Sequence, residues 1–128
     1  MLPAGHRMRR PSEFSGVMRS GQRAGRRTLV VHMRHPQPGD VGPGAASISP
    51  SPAHVGFIVS RAVGGAVVRN RVKRRLRAQV ASRLDRLDDG CLLVVRALPA
   101  AASASSEALA IDLDGALDAV LRRAGRAR

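Results

Sequence analysis

The run Cys91 to Ala97, C-L-L-V-V-R-A, constrains this chain most. It is almost continuously apolar, Pro99 closes it, and the turn signal Asp88-Asp89-Gly90 stands just before it. A short apolar run bounded in this way reads as a strand buried on both faces. Such a strand has to lie inside a sheet, with strands beside it and covering layers above and below. The rest of the chain must supply them.

Two further segments have strand character. Thr28 to Met33 (T-L-V-V-H-M) is β-branched and apolar and follows a basic turn, Arg23 to Arg27; Val55 to Ser60 (V-G-F-I-V-S) is the other. Gly64-Gly65 breaks the chain, and a helix is expected from Ala66 to Leu84, because Val68, Val72, Leu76 and Val80 recur every fourth residue. Leu109, Leu113, Leu117, Val120 and Leu121 mark a C-terminal amphipathic helix, weakened by Gly115, with Arg122 and Arg123 at the negative end of its dipole.

A short first helix fits Pro11 to Ser20, with Phe14, Val17 and Met18 on one face and Gly21 as its stop. Residues 1–10 read as a basic arm and 125–128 as a basic tail. His35 to Ala53 holds five prolines and three glycines, so it reads as a long insertion loop between two strands. Ala100 to Ser106 is low in complexity and reads as loop. With 128 residues the chain makes one domain, spanning 11–124, in the order α-β-β-α-β-α. The expected class is an α/β (α+β) sandwich, with helices on a small central sheet.

Charge narrows the function. Residues 1–84 carry 16 basic and 2 acidic side chains, whereas residues 85–128 carry 6 and 7, so the net charge of +13 lies in the first two-thirds. It is densest from Arg69 to Arg77, R-N-R-V-K-R-R-L-R, where six of nine residues are basic. Asn70, Lys73, Arg74 and Arg77 follow an i, i+3, i+4, i+7 pattern and share the helix face opposite the apolar stripe. With no acid among them these cations would repel one another on a bare surface, which points to a polyanion partner. All basic residues except Lys73 are Arg, which fits bidentate phosphate contacts and equally an Arg-rich genome.

Catalytic chemistry is poorly supplied. Glu13 and Asp40 are the only acids in the basic two-thirds, and His6, His32, His35 and His54 have no ligand spacing on a shared helix face. Asp85, Asp88 and Asp89 cluster beside a turn, and Gly64-Gly65 lacks the Lys of a nucleotide-binding loop. No catalytic and no metal-ligating residue is therefore assigned. Cys91 stands alone, which excludes an intrachain disulfide and a cysteine metal site. No run reaches the roughly 18 to 20 apolar residues of a membrane span, and no signal-peptide core begins the chain, so a cytoplasmic protein with no membrane partner is expected. Phe14 and Phe57 are the only aromatics, leaving few platforms for stacking bases; Phe57 is expected in the core, and Phe14 in the core or lining a groove.

The run from Val55 to Arg77 closely resembles the family of protein subunits of bacterial ribonuclease P. The match is carried, without gaps, by the strand ending at Ser60, by Arg61, Gly64 and Ala66-Val67, and by Arg69-Asn70-Arg71, Lys73-Arg74 and Arg77. Arg10 to Gly21 resembles the family's first helix, Arg27 its basic strand entry, and Leu92 to Ala97 with Pro99 a later strand. The resemblance implies a left-handed β-α-β crossover, which pattern alone would not have suggested.

It also implies a function: assisting a catalytic RNA that removes the 5′ leader of precursor tRNA, with hydrolysis performed by the RNA and its Mg²⁺. The implied partners are ribonuclease P RNA, in a 1:1 complex needing no other protein, and precursor tRNA. Carried over by position, Arg69, Asn70, Arg71, Lys73, Arg74 and Arg77 become contacts to the catalytic RNA. Phe14, Met18, Arg27, His32, Ser60 and Arg61 become candidates for the leader groove. Met18 and His32 stand where the family often has aromatics, and Ala62 where it often has a basic residue, so weaker or rearranged stacking is expected. The competing reading is a ribosomal or nucleoid-type protein that uses the same helix on generic duplexes.

Overall fold

A computed structural model gives the fold and describes residues 16–18, 21–35, 53–88 and 90–126. The basic arm, Phe14, most of the Pro- and Gly-rich insertion and the end of the basic tail fall outside the described residues. Four strands form one mixed sheet: β1 (Gln22–Gly25), β2 (Leu29–Arg34), β3 (His54–Ile58) and β4 (Leu92–Ala97). Their order is β1-β2-β4-β3, with β4 antiparallel to β2 and parallel to β3. The run that demanded neighbours on both sides thus lies between two strands.

Helix α1 (Ala66–Ala81) joins the parallel pair β3 and β4, and α2 (Ser106–Arg126) ends the described chain. Both cover one face of the sheet. Val72, Leu76 and Val80 of α1 and Leu109, Leu113, Leu117 and Val120 of α2 meet Leu29, Val31, Met33, Val55, Leu93 and Val95 in one buried cluster. Each fully buried Val or Leu contributes about 1.5–3 kcal/mol relative to exposure, so this layer dominates the fold's stability. On the other face Val17, in the helical stretch 16–18, packs against Val94, with Ile58 and Leu92 beside them.

The sheet-and-helix sandwich and the order of its main elements agree with the sequence, and four details differ. First, β1 replaces the expected basic turn: it is an edge strand with only Ala24 buried, so it offers almost no alternation to read. Second, β3 ends at Ile58, and Ser60 and Arg61 enter a turn closed by Val63 N–H on Ser60 O (3.1 Å). Third, α1 stops at Ala81 and a short 3₁₀ turn, Leu84–Arg86, follows. Fourth, Pro99–Ser103 forms a 3₁₀ helix where a loop was expected. Phe57, half-buried, packs against the helix-side core as expected.

Two glycines are explained by tertiary geometry. Gly90 holds φ 79° in the turn that Cys91 N–H closes on Asp88 O (3.1 Å), a backbone region that disfavours other side chains. Gly115, which weakens α2 locally, is where Arg26 docks: Arg26 Nη2 donates to Gly115 O at 2.9 Å, and a β-carbon there would lie 2.7 Å from Arg26 Nε. The hairpin end is tied to the same helix by Thr28, whose backbone N–H and hydroxyl both donate to Asp112 Oδ2 (3.0 and 2.5 Å).

Candidate nucleic-acid interface

Helix α1 divides its polar residues between two faces. Asn70 and Arg74 are exposed and Lys73 and Arg77 half-exposed, on the side opposite the buried stripe Val72, Leu76, Val80. This is the outward set the spacing predicts. A second row, Arg71, Arg75, Gln79 and Arg83, runs at i+4 steps along the flank and is used inside the protein. Arg71 Nη2 donates to Ala102 O (3.4 Å), Arg75 Nη1 to Ala104 O (2.9 Å) and Gln79 Nε2 to Ser106 O (3.4 Å). Arg83 closes the row with a two-pronged pair to Asp114 (2.5 and 3.0 Å) and a bond to Gln79 O (2.7 Å).

That pairing sets the local electrostatics. The bond to Arg83 holds Asp114 below the usual carboxylate range, and the carboxylate in turn raises the Arg83 pKa. Arg86 adds ion pairs to Asp114 (3.5 Å) and to Asp118. The acids of α2 therefore neutralise cations beyond the end of α1, while α1 has no acid in its first turn and no side-chain cap on Gly65. Positive potential is left concentrated on the outward face of α1 and its N-terminal end.

A second basic surface lies on the sheet face opposite the two long helices. Strand alternation turns Val30, His32 and Arg34 of β2 to this side, while Leu29, Val31 and Met33 enter the main core. The register sets Arg23 of β1 directly opposite His32, and places Arg96 of β4 opposite Val30 on the same face. Arg23 and Arg96 are exposed. His32 is only 5% exposed, and its Nε2 is buried with no hydrogen-bond partner. Burial first, then Arg23 and Arg96, push its pKa below the ordinary histidine value, so the ring is neutral at physiological pH. The Arg34 guanidinium lies beside Gly16, and Met18 is 38% exposed, so the helical stretch borders this face.

The expected groove residues do not all converge. His32 and Met18 belong to the sheet-face surface, and Ser60 and Arg61 are exposed just beyond the end of β3. Arg27 instead sits in the exposed turn between β1 and β2, beside a cleft of about 480 Å³ lined by Thr28, Ser103, Ser105 and Asp112, against α2. Arg23, Arg34 and Arg96 share the face of His32 and were not singled out from the sequence. Alternation about His32 is a signal that could have found Arg34; Arg96 needed the pairing of β2 with β4.

Other chemistry is sparse. Cys91 is fully buried and its thiol is pushed up to about 12, mainly by burial. Among the described residues, no group of three His, Cys, Asp or Glu is placed to hold a metal ion, and no helix is long and apolar enough to cross a membrane. Asp112, Asp114 and Asp118 already engage Thr28, Arg83 and Arg86, so they do not fit a Mg²⁺ cage.

Comparison with known proteins identifies the family. The Ribonuclease P family model matches residues 2–121. A ribonuclease P protein component of Streptomyces bikiniensis is 53% identical over 121 residues, covering 94% of this chain and 96% of that protein. One from Salinispora tropica is 46% identical, with 98% of each chain covered. In fold, the chain is similar to the RNase P protein of Staphylococcus aureus (TM-score 0.70, 20% identity, 93% and 94% covered). It is also similar to that of Thermotoga maritima (TM-score 0.67, 19% identity, 87% and 94% covered). The chain belongs to the ribonuclease P family, as the protein component of a ribonucleoprotein endoribonuclease that works with an RNA subunit in processing the 5′ leaders of tRNA.

Proposed function

We propose that this protein binds the catalytic RNA through the outward face of α1 and the single-stranded leader of precursor tRNA on the sheet face that carries His32. The observation that carries this reading is the division of charge on α1. Arg71, Arg75 and Arg83 are held by groups of the protein, whereas Asn70, Lys73, Arg74 and Arg77 project outward together. Phosphates are the complement such a surface lacks, and neutralising them releases counterions.

The protein's part is to bind and orient the two RNAs, in a 1:1 complex in the cytoplasm. Mg²⁺, bound mainly by the RNA subunit, would supply the activated water and charge stabilisation for hydrolysis. The test is to add the protein to ribonuclease P RNA at low Mg²⁺ and follow 5′ cleavage of precursor tRNA. Stimulated cleavage and tighter binding of precursor than of mature tRNA are expected. Absence of stimulation across a salt and Mg²⁺ titration, with equal affinity for generic duplexes, would replace this reading with that of a general nucleic-acid-binding protein.

A further inference from the structure

We propose that the cleft beside Arg27 seats one unpaired nucleotide of the RNA subunit, giving the protein an RNA contact apart from the outward face of α1 and from the sheet face that carries His32. The inference rests on the partnership with an RNA subunit and not on where the leader lies. Three parts of the chain build the cleft. The turn between β1 and β2 supplies Arg27 and Thr28, the segment after Pro99 supplies Ala104 and Ser105, and the start of α2 supplies Ile111 and Asp112. Its volume of about 480 Å³ is that of a small-ligand site.

The lining groups keep capacity that the protein does not use. Arg27 is exposed and has no partner among the described residues, whereas its neighbour Arg26 is docked on Gly115 O. Asp112 takes both Thr28 donors on Oδ2, and its Oδ1 accepts nothing from the described residues. Ser105 Oγ accepts from Ala108 N–H (3.0 Å), so its own proton is free to donate. Ile111 is 70% exposed, the one large apolar side chain of α2 left in solvent among the described residues.

A cation, an acceptor, a hydroxyl and an apolar wall in one cleft match the parts of a nucleotide. Arg27 can pair with the phosphate, and Ser105 can donate to a phosphate or ribose oxygen. Asp112 Oδ1 can accept from an N–H on the base edge, while Ile111 covers a base face. A bare anion would meet the Asp112 charge, and a purely apolar ligand would use neither Arg27 nor Asp112. A nucleotide within RNA is favoured over a free one because the cleft adjoins the basic helix: Ala104 lines the cleft and its carbonyl receives Arg75 of α1 (2.9 Å). The cleft and α1 thus lie against the same segment.

The experiment measures affinity for ribonuclease P RNA by filter binding, with wild-type protein, Arg27→Gln, Ile111→Ser and the double variant, and with Arg74→Gln alongside. Arg27 and Ile111 are exposed, so Tm should stay within about 1 °C in their variants. Each of these single variants should bind the RNA about three- to tenfold more weakly. The double variant should be about as weak as the weaker single, because both side chains hold one nucleotide. RNA subunits carrying one abasic residue at successive unpaired positions provide the second arm. One position should reproduce the loss with wild-type protein and add nothing with Ile111→Ser. The four nucleoside monophosphates, added as competitors, separate a free nucleotide from one within the RNA.

Wild-type RNA affinity in both Arg27→Gln and Ile111→Ser overturns the proposal and hands the cleft to a protein segment or a free nucleotide. A loss seen in Arg74→Gln alone would leave the reading of α1 standing while the cleft falls. Losses that multiply in the double variant, with no sensitive abasic position, also overturn it, since Arg27 would then act only as a distant charge. So does binding of a monophosphate that Arg27→Gln abolishes while RNA affinity stays unchanged.

Discussion

Replacing Arg75 and Arg74 separately by Gln should produce opposite defects, although the two residues are adjacent in the densest part of the basic run. Arg75 Nη1 donates to Ala104 O at 2.9 Å across a half-buried contact. A hydrogen bond from a charged donor contributes about 1.5–3 kcal/mol, and partial exposure reduces this to about 1 kcal/mol. For a domain of this size that loss lowers Tm by about 3–6 °C. The shorter Gln cannot span the same gap. Because the Arg75 charge is turned to the protein's own carbonyl, the salt dependence of RNA binding should not change.

Arg74 is exposed on the outward face. Its substitution should leave Tm within about 1 °C, as for other surface changes. It should reduce the slope of log K against log salt by about 0.7–0.9, the contribution of one neutralised phosphate. Thermal melts of the free protein and filter binding to ribonuclease P RNA over a salt titration measure both quantities. Equal loss of slope in the two variants, with Tm unchanged in both, would refute the division of α1 into an anchoring flank and an RNA-facing side.

Asp114→Asn should destabilise the protein by about 1–2 kcal/mol at neutral pH, a figure reduced because the carboxylate is 46% exposed. The pKa of Asp114 is lowered by folding, so its contribution is present above the unfolded value near 3.9 and is lost as pH falls through the lower folded value. Denaturation curves of wild type and variant should therefore converge in acid; a constant difference down to the lowest pH would contradict the pairing. The Cys91 thiol, fully buried and pushed up to about 12, should resist alkylation at pH 8 until the protein unfolds, and rapid labelling of native protein would place it elsewhere.

Much of the fold was legible because its signals are local. The Gly64-Gly65 break and the stripe Val72, Leu76, Val80 located the start of α1, and the apolar run before Pro99 located β4. Strand β1 was not legible: its single buried side chain, Ala24, carries no pattern, and it is a strand only because β2 lies beside it. Pro99–Ser103 likewise reads as low-complexity loop in isolation, and the carbonyls of Ala102 within it and Ala104 just beyond it receive Arg71 and Arg75.

By itself the sequence determined that a basic amphipathic helix sits between two apolar strands and that Asn70, Lys73, Arg74 and Arg77 share its outer face. Helical and strand periodicities are properties of neighbouring residues, and any chain with that spacing carries them. Tertiary structure alone decided which cations remain outward. Arg74 and Arg75 differ by about 100° around the helix axis, and only the packing of residues 99–106 and α2 against one flank makes that angle the difference between an exposed side chain and one held by a backbone carbonyl. The grouping of Arg23, His32 and Arg96 has the same origin, since strand order and register bring together residues that no local pattern connects.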